Sequence, residues 1–217
     1  MYQLIDVKKT YLQGDTHINV LKGLNFQIKE GESISIVGQS GSGKSTLLSV
    51  LSGLESVNSG QILFEESDLT NKNEEELTHF RASKLGIIFQ HFHLVPHLTA
   101  LENILLPLEI LGIDNEVRGF EMLERVGLGQ RGNHLPSQLS GGEMQRVAVA
   151  RALVGQPKII LADEPSGNLD RDNAKVVTDL MLNLTREEKT ALILVTHDQN
   201  LAQKCEKKLH LFDGCLS

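Results

Sequence analysis

Three groups of residues in this 217-residue chain have types and spacings suited to phosphate chemistry. The first is Gly38-Gln39-Ser40-Gly41-Ser42-Gly43-Lys44-Ser45, followed by Thr46. Glycines at this spacing let successive backbone N–H groups converge on one concavity, and a following helix adds the positive end of its dipole. Lys44 would then neutralise β- and γ-phosphate oxygens, and the Ser45 hydroxyl would bind Mg²⁺. The second group is Asp163-Glu164, which closes the apolar run Ile159-Ile160-Leu161-Ala162. Ligands of open α/β sheets collect at the carboxyl ends of strands, so Asp163 is placed to hold Mg²⁺. Glu164 should leave the strand on the opposite face, available to polarise an attacking water. Burying two adjacent acids for structure alone would be costly without a cation. The third group is Leu139-Ser140-Gly141-Gly142-Glu143. Ser140, as a helix N-cap before two glycines, should leave several N–H groups and a hydroxyl free to meet an anion. Lys44 and Ser45 already supply a complete phosphate site. A second anion site is most useful if it completes the site of another copy, in a head-to-tail pair that sandwiches two nucleotides.

Periodicity supplies the elements that must carry these groups. Val20 to Lys29 alternates, with Leu24, Phe26 and Ile28 on one face, and reads as a half-buried strand of an antiparallel layer. Ser33–Val37 is a short strand feeding the glycine loop, and Lys44 to Leu54 reads as a helix with Leu47, Leu48 and Leu51 inward and Gly53 near its end. The acidic run Glu74-Glu75-Glu76 is a solvated helix start capped by Asn73. Thr99-x-x-Glu102 and Ser140-x-x-Glu143 have the form of capping boxes, and Asp114 is placed to cap a helix running to Val126. Strand–helix alternation then resumes with a strand at Lys158–Asp163, an amphipathic helix at Asp172–Leu184 and a strand at Ala191–Thr196.

Bulk composition narrows the class. Net charge is −7, which gives no basic footprint for nucleic acid. No stretch approaches the roughly 18 uninterrupted apolar residues of a spanning helix. The best run, Ile104 to Ile113, is broken by Pro107 and Glu109. Met1-Tyr2-Gln3-Leu4 lacks the basic and apolar regions of a secretory leader. Cys205 and Cys215 have neither metal-like spacing nor a disulfide framework. These features predict a cytoplasmic chain that touches a membrane only through a partner.

Taken together, the motifs resemble the nucleotide-binding subunit of an ABC transporter over essentially the whole chain. Gly38–Ser45 resembles Walker A, Ile159–Glu164 Walker B with its catalytic glutamate, and Leu139–Gln145 the signature motif. Gln90, after Gly86-Ile87-Ile88-Phe89, resembles the Q-loop glutamine, and Ser166-Gly167-Asn168-Leu169-Asp170 the D-loop. Thr196-His197-Asp198 is similar to the switch-histidine segment, and Tyr11 to the aromatic that stacks on adenine. The resemblance implies an α/β fold: a P-loop NTPase core with a mostly parallel sheet, an N-terminal antiparallel β layer and a helical subdomain insertion. It implies one domain over residues 1–217, with the core at about 1–89 and 156–217 and the helical subdomain at about 90–155. It further implies ATP and Mg²⁺ as cofactors, with Ser45, Gln90 and Asp163 toward the metal. Ser140, Gly141, Gly142, Glu143 and Asp170 would complete the nucleotide site of a second copy. Glu164, His197, Lys44 and Gln90 are the expected catalytic groups. The segment Gln90–Leu98 would receive an integral membrane subunit, with Phe92, Leu94, Val95 and Leu98 as its apolar surface and His91, His93 and His97 at the rim.

The Gly167-Asn168-Leu169-Asp170 form, where many members carry Ala-Leu before the Asp, resembles the branch of the LolD lipoprotein-release ATPase, the MacB-type exporters and YbbA-like proteins. Asn168 suggests an extra polar contact at a dimer interface. That branch implies lipoprotein or lipid extraction, export or mechanotransmission. An importer ATPase and a soluble non-transport ABC ATPase are the alternatives. A P-loop kinase or GTPase would leave Ser140–Glu143 and His197 unexplained, and no Asn-Lys-x-Asp guanine motif is present.

Overall fold

Alternation of buried and exposed side chains builds the first layer. In the computed structural model, which describes residues Met1 to Ser217, Tyr2–Gln13 (β1) and Thr16–Ile28 (β2) form an antiparallel hairpin. Strand β2 thus starts earlier than Val20. Leu24 and Ile28 are buried as the alternation requires, whereas Phe26 is half-buried. Strand Ser59–Phe64 (β4) pairs with the other edge of β1, and the short Ser67–Asp68 (β5) closes a sheet of order β2-β1-β4-β5. Tyr2, Phe64 and Phe80 form an edge-to-face aromatic cluster beneath it, with centroid separations of 5.4 Å and 5.0 Å for the pairs sharing Phe64.

The chain divides into two compact units, Met1–Arg81 with Ala191–Ser217, and Ala82–Thr190. In the first, Ser33–Val37 (β3) is buried along its full length and lies parallel to Ala191–Thr196 (β8) on one side and Lys207–Phe212 (β9) on the other. Cys215–Leu216 (β10) returns antiparallel to β9. Uninterrupted burial suits parallel strands, which are covered on both faces. The helix Lys44–Leu51 (α1) follows β3 and buries Leu47, Leu48 and Leu51. It ends three residues before Leu54, because Ser52 caps it and Gly53 takes a left-handed φ of 66°. A helix at Glu74–Lys84 (α2) begins at Asn73, whose side chain accepts from the Glu76 N–H at 2.9 Å.

In the second unit, Leu85–Ile88 (β6) runs parallel to Ile159–Asp163 (β7). Four helices accompany them: Ala100–Ile110 (α3), Glu116–Arg125 (α4), Gly141–Val154 (α5) and Arg171–Glu187 (α6). Helix α5 is rich in small residues, and this lets β6 come close. A Cβ on Gly86 would lie 2.3 Å from both the Ala152 carbonyl oxygen and Ile160 Cδ1. Both expected capping boxes, Thr99/Glu102 and Ser140/Glu143, are formed. The cap of α4 is Asn115, not Asp114: its Oδ1 accepts from the Arg118 N–H at 3.1 Å, and Asp114 sits one residue too early for that reach. Arg118 and Arg125 converge on Glu188, tying α4 to the end of α6.

Candidate nucleotide site

The first unit supplies the phosphate loop. Strand β3 delivers the chain to Gly38, and the loop turns on Gly41 and Gly43, with φ of 79° and 100°. A Cβ on Gly38 would fall 2.4 Å from the Leu211 carbonyl oxygen and 2.6 Å from Ser42 Oγ, so the loop leaves β3 hard against β9. Gly43 caps α1 without a side-chain hydrogen bond, and the first turn holds no acid, which leaves its N–H dipoles for an outside anion. Lys44 Nζ donates to the carbonyls of Gly38 and Gln39, each at 2.9 Å, and so is folded over the loop. Ser42 Oγ is buried without a hydrogen-bond partner. A left-handed glycine turn, an uncapped helix start, an ammonium group and an orphan hydroxyl together fit a polyphosphate chain. Gln39, Ser40, Ser45 and Thr46 lie along the same segment, with Gln39, Ser40 and Ser45 exposed.

His197 belongs to the same edge. Val37 and Thr196 are register partners on adjacent parallel strands, so the residues that follow them, Gly38 and His197, leave the sheet side by side. Asp198 accepts from the Asn200 N–H at 2.8 Å and caps the short helix Gln199–Ala202 (α7), fixing the turn that presents the exposed His197. Tyr11 stands opposite Ile18 in the β1–β2 hairpin, whose Val20 and Leu21 pack against Gly43. The Lys9 ammonium lies 5.1 Å from the Tyr11 ring centroid, a cation–π contact that sequence reading missed.

The second unit, by itself, carries Asp163, Glu164 and the capped start of α5. Asp163 ends β7 half-buried, as expected. Glu164 does not continue the strand's alternation: it has a left-handed φ of 43°, and its carbonyl accepts from the Gly167 N–H at 2.9 Å to close a turn. Backbone conformation, not strand period, therefore aims its side chain. A non-glycine residue in this region is uncommon.

Ser140 departs from expectation in one respect. Its hydroxyl is not free: Oγ donates to Glu143 Oε2 at 2.8 Å and accepts from the Glu143 N–H at 3.3 Å. The reciprocal box is satisfied within the chain, which leaves the N–H groups of Gly141 and Gly142 outside the box. The Ser140 backbone N–H and hydroxyl hold the Glu143 carboxyl below its ordinary pKa, with smaller help from Arg131 and Arg146. A Cβ on Gly142 would lie 2.6 Å from Asn173 Oδ1, so the glycine brings the start of α6 against the start of α5. Asp170 caps α6, accepting from the N–H groups of Asp172 and Asn173 at 3.1 Å and 3.0 Å. The Asn173 side chain and backbone N–H lower its pKa.

The segment after β6 is held by its main chain. Gln145 Nε2 donates to the Phe89 carbonyl at 3.2 Å, and Arg151 places its two terminal nitrogens on the carbonyls of His93 and Phe92, at 2.7 Å and 2.8 Å. Phe92 and His93 are both left-handed, with φ of 55° and 48°. Asn103, fully buried, accepts from the Val95 N–H and donates to the carbonyls of Val95, Leu98 and Thr99. Phe92, Leu94, Val95 and Leu98 are half-buried and His91, His93 and His97 exposed. No group of three or more His, Cys, Asp or Glu side chains is arranged to hold a metal ion. The Asn168 amide is spent inside its own chain, on Gln90 and His91. The main-chain contacts of Gln145 and Arg151 escaped the sequence reading, because α5 also carries Glu143 and Arg146 and residue type alone singled out neither.

The chain is similar to known proteins over most of its length. The family model described as ABC transporter matches residues 21–167. The lipoprotein-releasing system ATP-binding protein LolD of Legionella pneumophila (strain Paris) is 48% identical over 211 residues, 96% of this chain and 93% of that protein. The uncharacterized ABC transporter ATP-binding protein YbbA of Escherichia coli (strain K12) is 46% identical over 213 residues, 97% and 93% of the two chains. The ATP-binding cassette MJ0796, solved as a dimer in a post-hydrolysis state with ADP and Pi, superposes with a TM-score of 0.91 at 41% identity, covering 100% of this chain and 97% of that one. The fold is thus the α/β P-loop NTPase fold with a helical subdomain, and the chain belongs to the ABC transporter family.

Proposed function

We propose that this chain is the ATP-binding and ATP-hydrolysing subunit of a transporter, and that it works as a head-to-tail pair of copies around two ATP-Mg²⁺. The observation that carries this reading is the glycine loop between β3 and α1, with its uncapped helix start, folded-over Lys44 and buried, unpartnered Ser42 hydroxyl. Gly38 to Thr46 bind the phosphates through backbone N–H groups, and Tyr11 offers a ring face to adenine. Ser45, Gln90 and Asp163 would hold Mg²⁺, which when bound neutralises charge on the β- and γ-phosphate oxygens. Glu164 accepts the proton of the attacking water, while Lys44 and His197 stabilise charge on the transferring phosphoryl group. Gly141 and Gly142 N–H groups, with Ser140 and Asp170, complete the site of the second copy.

MJ0796 is described as a dimeric bacterial ABC transporter cassette, which supports the paired assembly for this chain. LolD belongs to a lipoprotein-releasing system, and the chain's likeness to it supports lipoprotein or lipid extraction over solute import. No helix is long and apolar enough to cross a membrane. The transporter reading includes an integral membrane partner, seated on the Gln90–Leu98 segment at the cytoplasmic face of a bacterial inner membrane. Glu164→Gln tests the chemistry: it should retain ATP binding and lower turnover by roughly 10²- to 10⁴-fold, the weight of a general base. Near-normal hydrolysis would remove Glu164 from its role.

A further inference from the structure

Asn168 has no task in the proposed mechanism, yet both ends of its side-chain amide are hydrogen-bonded. Asn168 Nδ2 donates to the Gln90 main-chain carbonyl at 3.0 Å and lies 3.0 Å from His91 Nδ1. Asn168 Oδ1 accepts from Gln90 Nε2 at 3.1 Å. A main-chain carbonyl can only accept, so the Gln90 carbonyl decides which end of the Asn168 amide is the NH₂. That choice leaves Oδ1 on the other side, where only a donor is welcome. The donor it meets is the Gln90 NH₂, and the Gln90 Oε1 is thereby turned away from Asn168. The same logic sets His91 Nδ1 as an acceptor, which puts its ring proton on Nε2.

We infer that Asn168 is a positioning residue: it locks the Gln90 side-chain amide in the one orientation that presents Oε1, and not the NH₂, to Mg²⁺. The inference rests on the proposed placement of Gln90 at the metal. Magnesium takes oxygen ligands and an amide NH₂ has no lone pair to offer it, so a freely rotating Gln90 is a competent ligand only part of the time. Gly167 serves the same arrangement. A Cβ there would lie 2.9 Å from Gln90 Nε2, so a larger residue would push the amide off its seat. Residues 90 and 168 are 78 positions apart, yet both lie in the unit Ala82–Thr190. The carboxyl end of β7 is linked through this pair to the segment that follows β6. Asn168 is exposed, and its replacement removes no buried packing.

The test uses two readouts and one rescue. In the nucleotide-free chain, ¹⁵N NMR of the Gln90 side-chain amide should show one Nε2 proton shifted and slowed in exchange by its bond to Asn168, and Asn168→Ala should abolish both. Mn²⁺ binding, read by electron paramagnetic resonance on the Glu164→Gln chain with saturating ATP, should weaken about ten-fold in Asn168→Ala, the scale of lost support behind a metal ligand. In a Gln90→Glu background both ends of the side chain are oxygens, so orientation no longer matters and Asn168→Ala should leave Mn²⁺ affinity unchanged. The inference is overturned if Asn168→Ala leaves Mn²⁺ affinity intact while Gln90→Ala weakens it. It is also overturned if Asn168→Ala weakens binding equally in the Gln90→Glu background. If Gln90→Ala itself leaves Mn²⁺ affinity intact, the placement of Gln90 at the metal fails first, and the role of Asn168 falls with it.

Discussion

Replacing Arg151 by alanine should loosen the segment His91–Leu98 while leaving the rest of the chain folded. The guanidinium satisfies the carbonyls of two consecutive residues in the left-handed region, Phe92 and His93, and burial depresses its pKa from the ordinary arginine value. A hydrogen bond from a charged donor contributes about 1.5–3 kcal/mol, and the half-exposed position favours the lower figure. Two such bonds give about 3 kcal/mol. About 1 kcal/mol of that is returned if one of the two, Phe92 or His93, relaxes from a left-handed conformation that costs about 1–2 kcal/mol. The net loss is then about 2 kcal/mol, or about 4–8 °C in melting temperature for a chain of this size. Arg151→Lys keeps the charge but cannot fork onto two carbonyls, so it should fall between parent and alanine. Calorimetry reads the first effect, and hydrogen exchange on peptides spanning residues 89–99 reads the second. Faster exchange should be confined to that segment and spare the β1–β2 hairpin. An alanine variant that melts within about 1 °C of the parent, with unchanged exchange at 89–99, would refute the clamp.

The remaining expectations concern the two helix starts. Glu143 has a depressed pKa in the folded chain, so its contribution is present above the ordinary carboxylate pKa and disappears as pH falls through the lowered folded value. The gap in melting temperature between parent and Glu143→Gln should therefore be largest near neutrality and close on acidification. A gap independent of pH would contradict the box as an ionic device. Gly38→Ala would force a Cβ against the carbonyl of the buried Leu211 on β9, costing about 1–3 kcal/mol and with it phosphate binding. Undiminished stability and ATP affinity in that variant would show that the approach of the loop to β9 is not as tight as described.

Local signals carried much of this fold into view from sequence. The strands Ser33–Val37 and Ala191–Thr196 and the caps at Asn73, Thr99 and Ser140 depend on residues within a few positions of one another, and periodicity and capping chemistry read them directly. Asp114 and Asn115 are both competent caps, and only the geometry of the turn selects Asn115. What sequence could not show are the bonds from side chains to distant main chain. Arg151 reaches His93 across 58 positions and Asn168 reaches Gln90 across 78, and neither residue type announces its partner. The left-handed φ of Glu164 was equally hidden, because a glutamate has no preference for that region. The Ser140 hydroxyl shows the opposite failure. Its capping box was legible, yet the same pattern already implied that Oγ was occupied by Glu143.

The composite site between two copies is the central claim, and mixing two inactive chains tests it most directly. Lys44→Ala removes the ammonium folded over the phosphate loop, and Ser140→Arg blocks the start of α5. Each chain alone pairs into sites that all carry a defect. If the chains pair head to tail, a mixture would contain pairs in which the intact Lys44 of the Ser140→Arg chain faces the intact Ser140 of the Lys44→Ala chain. The account predicts ATP hydrolysis in the mixture well above that of either variant alone. Activity in the mixture no greater than in the separate variants would contradict it.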